Sequence, residues 1–299
     1  MIDLVYLASP SFSGSTLLTF LLNTHPSIAT IGELKWGEID LATYRCSCAA
    51  LLTECPFWSR VRTQMADRGL PIDLFRPATD FRCGSGWSNK IARTRVRGAM
   101  FEYLRDAVVA TLPEPRSTFP TVAAINRAMI EVILELQHAR VFLDGSKDPV
   151  RLKYLLDTGD YNPWVIQLVR DGRGVMNSAM KNEGRTAAHA AREWRHTHEQ
   201  IERLARRLPD ARLLTVRYED LCRAPGVEHT RILAFLGLSG ETIVGDYRSV
   251  GHHILGNKMR LQASTGIQLD EKWRQSLSRE DLAAFDRTAG DMNRRFGYV

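Results

Sequence analysis

Residues 5–26 read VYLASPSFSGSTLLTFLLNTHP, and their reading decides the fold. An apolar run over residues 3–8 stops at a Ser/Pro/Ser cluster. The following STLLTFLLNTHP (15–26) carries apolar residues at helical spacing until His25 and Pro26 end it. A buried strand, a Ser/Gly turn and a helix N-terminus together make a phosphate cradle, because the first-turn N–H groups lack partners inside the helix and face an anion. Compared with the nucleotide-hydrolase loop G-x-x-x-x-G-K-[ST], Gly14 and Thr16 fit, but Ser9 stands at the first glycine and Ser15 at the lysine. Without that point charge a triphosphate is disfavoured, and the positive charge has to come from another part of the chain.

The same order recurs in ARVFLDGSKDPVRLKYLLD (139–157), with a strand to about Leu143 and Pro149 in the first turn of a helix. It appears again in PWVIQLVRDGRGVMNSAMKN (163–182), and a fourth strand in ARLLTVRYEDL (211–221) precedes a helix through HTRILAFLGL (229–238). Strands alternating with helices predict an α/β fold whose parallel central sheet is flanked by helices on both faces, with ligands at the carboxyl ends of the strands. The whole chain, 1–299, reads as a single domain. Residues 35–135 form a mainly helical insertion expected to line a substrate pocket, with helical spacing in KIARTRVRGAMFEYLRDAVVATL (90–112) and AAINRAMIEVILELQH (123–138). A further amphipathic helix spans AAHAAREWRHTHEQIERLARRL (187–208), its Trp194 and Leu204 read as core.

Arg170 closes the third strand and Ser178 lies eight residues on, so the two can converge on a second anion beside the first loop. Two anion sites point to a ligand phosphorylated at both ends rather than to a polyphosphate. The net charge of +6 agrees with an anionic ligand, while basic residues interleaved with acids argue against a dedicated nucleic-acid face. No apolar run reaches the roughly 18 residues needed to span a bilayer, and the chain enters a strand at once, so a cytoplasmic location is expected. Of five cysteines, Cys46, Cys48 and Cys55 are close enough to share a metal or a disulfide. Their C-x-C-x6-C spacing matches no strong zinc pattern, so reduced structural thiols are expected and no metal is assigned.

These segments resemble the sulfotransferases that use 3′-phosphoadenosine 5′-phosphosulfate (PAPS), a P-loop-like fold; the likeness is closest to bacterial, carbohydrate and tyrosylprotein sulfotransferases. It is carried by SPSFSGSTLLTFLLNTHP, VIQLVRDGRGVMNS and VRYEDL in that order. It extends to CSCAALLTECPFW, LDGSKDP, GNKMR, DEKWRQSL and RRFGYV. The resemblance implies that Ser13, Gly14, Ser15 and Thr16 hold the 5′-phosphosulfate, that Arg170 and Ser178 hold the 3′-phosphate, and that Tyr218 approaches the adenine. Lys258 and Arg260 stand where the family closes a basic loop over the nucleotide. It implies transfer of a sulfuryl group to a hydroxyl or amine of a small-molecule, glycan or lipid acceptor, with PAP as the product and no metal.

Many members carry a cation two residues before the loop glycine, where this chain has Phe12. Lys147, at a strand's carboxyl edge and in a segment like the K-D-P of tyrosylprotein sulfotransferases, is the candidate to replace it; a plain ion pair with Asp144 or Asp148 is the alternative. By its place after the His-Pro turn, Glu33 matches the family's base, with Glu38 in reserve and His252 and His253 ranked lower. Two other functions remain open on sequence. One is a P-loop-type kinase, for which Asp144 is the obvious magnesium ligand; the other is a non-catalytic nucleotide- or nucleic-acid-binding protein.

Overall fold

The computed structural model describes residues 1–35, 38–84, 86–94, 98–240, 246–248, 250–256, 258–261 and 266–299, without the side chains of Ala99 and Lys258. Chain order begins with β1 (Ile2–Ala8), α1 (Ser15–Leu22) and β2 (Ile28–Ala29). The intervening helical region holds α2 (Pro56–Asp67), α3 (Trp87–Arg93), α4 (Ala99–Thr111) and α5 (Pro113–Gln137). Then come β3 (Val141–Lys147), α6 (Pro149–Thr158), β4 (Tyr161–Val169), α7 (Gly172–Glu183), α8 (Ala187–Ala205) and β5 (Leu213–Arg217). The chain ends with α9 (Tyr218–Arg223), α10 (Pro225–Phe235), α11 (Trp273–Ser276) and α12 (Arg279–Arg295).

The five strands form one parallel sheet in the order β2-β3-β1-β4-β5, as the alternating pattern predicts. Its central strand shows why both faces must be covered. Leu4, Tyr6 and Ala8 enter one core cluster while Val5 and Leu7 enter another, and all five are fully buried. α5 and α2 pack in the first cluster and α1 in the second, so β1 is an apolar run rather than an alternating one. A third cluster joins α7, α8 and α12 around Trp194 and Phe285.

Several boundaries differ from the sequence reading for local reasons. β3 continues four residues beyond Leu143, because Gly145 donates to the Gly32 carbonyl and Ser146 N–H to the Asp144 carboxylate, which keeps the polar DGSK stretch extended. The segment 90–112 is two helices, α3 and α4, with residues 95–97 outside the described set. The terminal helix α12 lies beyond the elements expected from sequence; it starts on a capping box in which Ser278 and Asp281 exchange side-chain and backbone hydrogen bonds.

Asp144 is fully buried beside Arg151, 3.0 Å from its Nε, and Arg151 also donates to the Thr79 carbonyl and to Asn126. Each charge thus has partners, the condition under which a buried pair persists. A carboxylate so engaged is no free magnesium ligand, which weakens the kinase reading.

His198 is wedged between Trp194 and Phe296, its Nδ1 3.1 Å from Gln167 Nε2. Burial, with Arg295 adding to it, holds its pKa down at about 3. The imidazole is therefore neutral in the folded chain, whereas the unfolded chain takes up a proton below about pH 6.5. Stability from this group is present at neutral pH and is lost as pH falls from about 6.5 towards 3. The loss is about 2 kcal/mol between pH 7 and 5. Urea unfolding at those two pH values should show a smaller drop for His198→Leu than for the parent chain; equal drops would contradict this reading.

Candidate active site

The carboxyl ends of β1, β3 and β4 are brought into line by register, Ala8 pairing with Lys147 on one side and Gln167 on the other. The loop after β1 leads into α1 with Gly14 as its N-cap at φ +89°, a left-handed conformation that glycine adopts without a Cβ penalty. A Cβ at Gly14 would lie 2.4 Å from Cδ2 of Tyr218, so the ring closes directly over the loop backbone. Among the described residues no side chain caps α1, so its first-turn N–H groups have no capping partner, and Gly14, Ser15 and Thr16 line the adjoining cavity.

That cavity, about 600 Å³, is lined by Gly14, Ser15, Thr16, Lys147, Arg170, Ser178 and Tyr218 among others. Seven residues predicted from four separate segments therefore meet in one place. Ser13, next to Gly14 in the loop, is fully buried, and the hydroxyls of Ser9 and Ser13 have no hydrogen-bond partner among the described residues. Unsatisfied buried hydroxyls beside a glycine cradle are what a loop shaped for an anion would show. Gly14→Ala should weaken binding of adenosine 3′,5′-bisphosphate about 10–100-fold, since the left-handed φ and the Tyr218 contact together cost on the order of 1–3 kcal/mol. Unchanged binding by calorimetry would separate the loop from the ligand.

Arg170 immediately follows β4, its guanidinium 4.7 Å from the Tyr218 ring centroid. It donates to the carbonyls of Phe12 (2.8 Å) and Asp270 (2.9 Å) and pairs with the Asp270 carboxylate at 3.1 Å. Burial pushes the Asp270 carboxyl up, but the Lys272 N–H and the Arg170 guanidinium outweigh it and hold the pKa below the ordinary value. Asp270 is thus an internal anion already seated on Arg170. Ser178, one face along α7, donates back to the Gly174 carbonyl. The start of α7 is fixed by residues the sequence reading did not assign a role. Asp171 N–H donates to Glu219, whose other oxygen accepts from Tyr298 Oη at 2.5 Å, and Gly172 N–H donates to Asn293. The terminal RRFGYV therefore anchors the helix that carries Ser178.

A second cavity of about 260 Å³ adjoins the first and shares Phe12 and Lys147 with it. It adds Glu33, Lys35 and Asp148 from the sheet side and Val175, Ala179, Ala190 and Trp194 from α7 and α8. Trp194, read as core, is indeed buried, yet its edge faces this space. Within it Lys147 Nζ lies 2.5 Å from Glu33 Oε1. Lys147 does not pair with Asp144 or Asp148: Asp144 holds Arg151, and Asp148 caps α6 while binding Lys35 and Arg93. Lys147 has a left-handed φ of 67° and follows a register shift in the β1–β3 pairing, which re-aims its side chain from the strand end towards the cavities.

Other candidates are placed elsewhere. Glu38 is more than half exposed and pairs with Arg76. Both nitrogens of His252 are engaged, by Asn23 and by the Tyr247 carbonyl, and His253 Nδ1 faces Cys46 and Cys55. Arg260 is buried away from the larger cavity, donating to the carbonyls of Arg45 and Gly256 with its guanidinium over Tyr44. The side chain of Lys258 lies outside the described set.

A family model described as the sulfotransferase family matches residues 88–242, just over half of the chain. The chain belongs to the sulfotransferase family. It is similar in fold to the sulfotransferase domain of the olefin synthase of Synechococcus PCC 7002, at 21% identity over 100% of this chain and 95% of that one, with a TM-score of 0.56. A sulfotransferase domain from the curacin biosynthetic pathway matches at 16% identity over 100% and 99% of the two chains, TM-score 0.47. Sulfotransferase STF1 from Mycobacterium tuberculosis H37Rv matches at 14% identity over 99% and 76%, TM-score 0.49. Curated protein sequences give no match. Among the described residues no helix is long and apolar enough to cross a membrane.

Proposed function

We propose that this chain transfers a sulfuryl group from PAPS to a hydroxyl or amine of an acceptor, releasing PAP. One observation carries the reading: Lys147 lines both cavities and touches Glu33, so a cation and a carboxylate stand together where a donor in the larger space would meet an acceptor in the smaller. In this reading PAPS supplies the sulfuryl group and a bisphosphate leaving group. The N–H groups of α1 and the hydroxyls of Ser13, Ser15 and Thr16 hold its 5′ end, while Arg170 and Ser178 hold its 3′-phosphate. Tyr218 stacks beside the base. Binding requires Arg170 to exchange Asp270 for the phosphate, which Asp270 can follow because its side chain is 40% exposed.

Lys147 neutralises charge at the leaving oxygen in place of the cation that Phe12 displaces. Glu33 takes the acceptor proton once Lys147 turns towards the donor, and the positive charge comes from the chain itself. The chain acts as one domain in which the region 35–135 covers the sheet. Among the described residues its contribution to the smaller cavity is Lys35, and most of the remaining wall comes from α7 and α8. That wall mixes apolar side chains with Glu183, Arg185 and Glu193, which fits a small molecule, glycan or lipid bearing a nucleophilic group.

The test is incubation with PAPS and a panel of a phenol, a hexosamine, a fatty alcohol and a tyrosine peptide. PAP formation with a one-sulfonate mass gain on an acceptor is expected. Turnover of ATP with magnesium, and none of PAPS, would favour a kinase.

A further inference from the structure

Cys46 and Cys48 sit in a tight reversal of the chain. Ala49, at φ 69°, donates to the Cys46 carbonyl, Cys46 N–H donates to Ala50, and Arg45 bridges to Leu51. Cys55 is the N-cap of α2, but its sulfur makes no capping hydrogen bond. Into this group comes His253, 198 residues after Cys55. The three Sγ atoms and one imidazole nitrogen all lie within 4.8 Å of one another.

The individual edges are informative. Cys48 Sγ to Cys55 Sγ is 3.6 Å, and His253 Nδ1 lies 3.6 Å from Cys46 Sγ and 3.5 Å from Cys55 Sγ. A disulfide would require about 2.05 Å. A tetrahedral Zn²⁺ with Zn–S of about 2.3 Å and Zn–N of about 2.0–2.1 Å has S···S edges of about 3.8 Å and S···N edges of about 3.6 Å. Three thiols and an imidazole facing one another are a poor apolar core, since one weak S–H donor per thiol cannot satisfy the group.

The imidazole is also held ready. Its ring stacks face to face on Phe57, centroids 4.3 Å apart and 1° from parallel. Ser47, between the two first cysteines, accepts from Ile254 N–H and donates to the His252 carbonyl, clasping both neighbours of His253. Such outer contacts orient a ligand ring before an ion arrives.

We propose that Cys46, Cys48, Cys55 and His253 form a structural Zn²⁺ site. Four protein ligands leave no open position, so the ion staples rather than reacts. What it staples is defined by the next residues. Leu255 N–H donates to the Ile31 carbonyl, Leu255 bridges to Gly32, and Gly256 N–H donates to Tyr44. Gly256 lies so close to Glu33 that a Cβ would be 2.8 Å from its Oε1, and its φ of +111° suits glycine. The ion thus fixes the segment lying against Glu33. That last consequence rests on the sulfotransferase reading; occupancy of the site does not.

The test is zinc content of the full chain purified under reducing conditions and dialysed against metal-free buffer, with Co²⁺ substitution as a second readout. About one zinc per chain is expected, with a thiolate-to-cobalt charge-transfer band and the visible bands of tetrahedral Co²⁺. Both should be lost in Cys48→Ser, which changes an exposed position, and in His253→Ala, while circular dichroism shows the fold retained. A chelator should lower the thermal midpoint of the parent chain and not of Cys48→Ser. Metal-free protein that gives no cobalt band, or a native Cys48–Cys55 disulfide, would overturn the proposal.

Discussion

Glu33→Gln is expected to slow sulfuryl transfer about 10²–10⁴-fold, the usual contribution of a positioned general base, while PAP binding changes less than about threefold. The amide keeps the volume and still accepts a hydrogen bond from Lys147, but it cannot take a proton. The carboxylate lines the smaller cavity and is not among the described residues lining the larger, which is why binding and turnover should separate. Single-turnover rates with PAPS and calorimetry with PAP check the two halves. A rate within about threefold of the parent would remove Glu33 as base. Equal loss of rate and binding would make it a structural partner of Lys147.

Lys147→Met should cut the transfer rate about 10²–10³-fold, the range seen when one preorganised donor to a developing anion is removed. The methionine preserves much of the stem and leaves the strand end intact, so PAP affinity should fall far less than the rate. Because Lys147 and Glu33 touch, the double variant should be much less than additive. Full additivity would mean that the two act in unconnected roles. Loss of PAP binding as large as the loss of rate would make Lys147 a binding residue only.

Much of this site is legible in the chain because its parts lie at strand ends, and strand ends can be found from apolar runs. Gly14, Arg170 and Tyr218 each follow such a run closely, Ser178 lies on the helix that follows one, and a parallel sheet delivers all such ends to one edge. What stayed hidden depends on contacts between distant segments. The Glu33–Lys147 pair joins residues 114 apart, and it needs both the register shift in β3 and a left-handed lysine, neither of which a pattern of apolar residues encodes. Asp270 on Arg170 and Tyr298 on Glu219 are equally long-range. Arg260 illustrates the converse: a basic residue in a suggestive segment, turned by Tyr44 and two carbonyls into a packing role. The cysteines show the same limit: the imidazole that faces them belongs to His253, 198 residues after Cys55, and spacing within CSCAALLTEC carries no sign of it.

The central claim is that the cavity between Gly14, Arg170 and Tyr218 is built for a 3′-phosphorylated adenosine nucleotide. Isothermal titration of the full chain with PAP tests it most directly, with 5′-AMP as the comparison ligand. One site per chain is predicted for PAP, with binding about 10–150-fold weaker for 5′-AMP and for Arg170→Ala, as expected when a charge-assisted phosphate contact is lost. Binding of PAP and 5′-AMP with equal affinity, or PAP binding untouched by Arg170→Ala, would contradict the account.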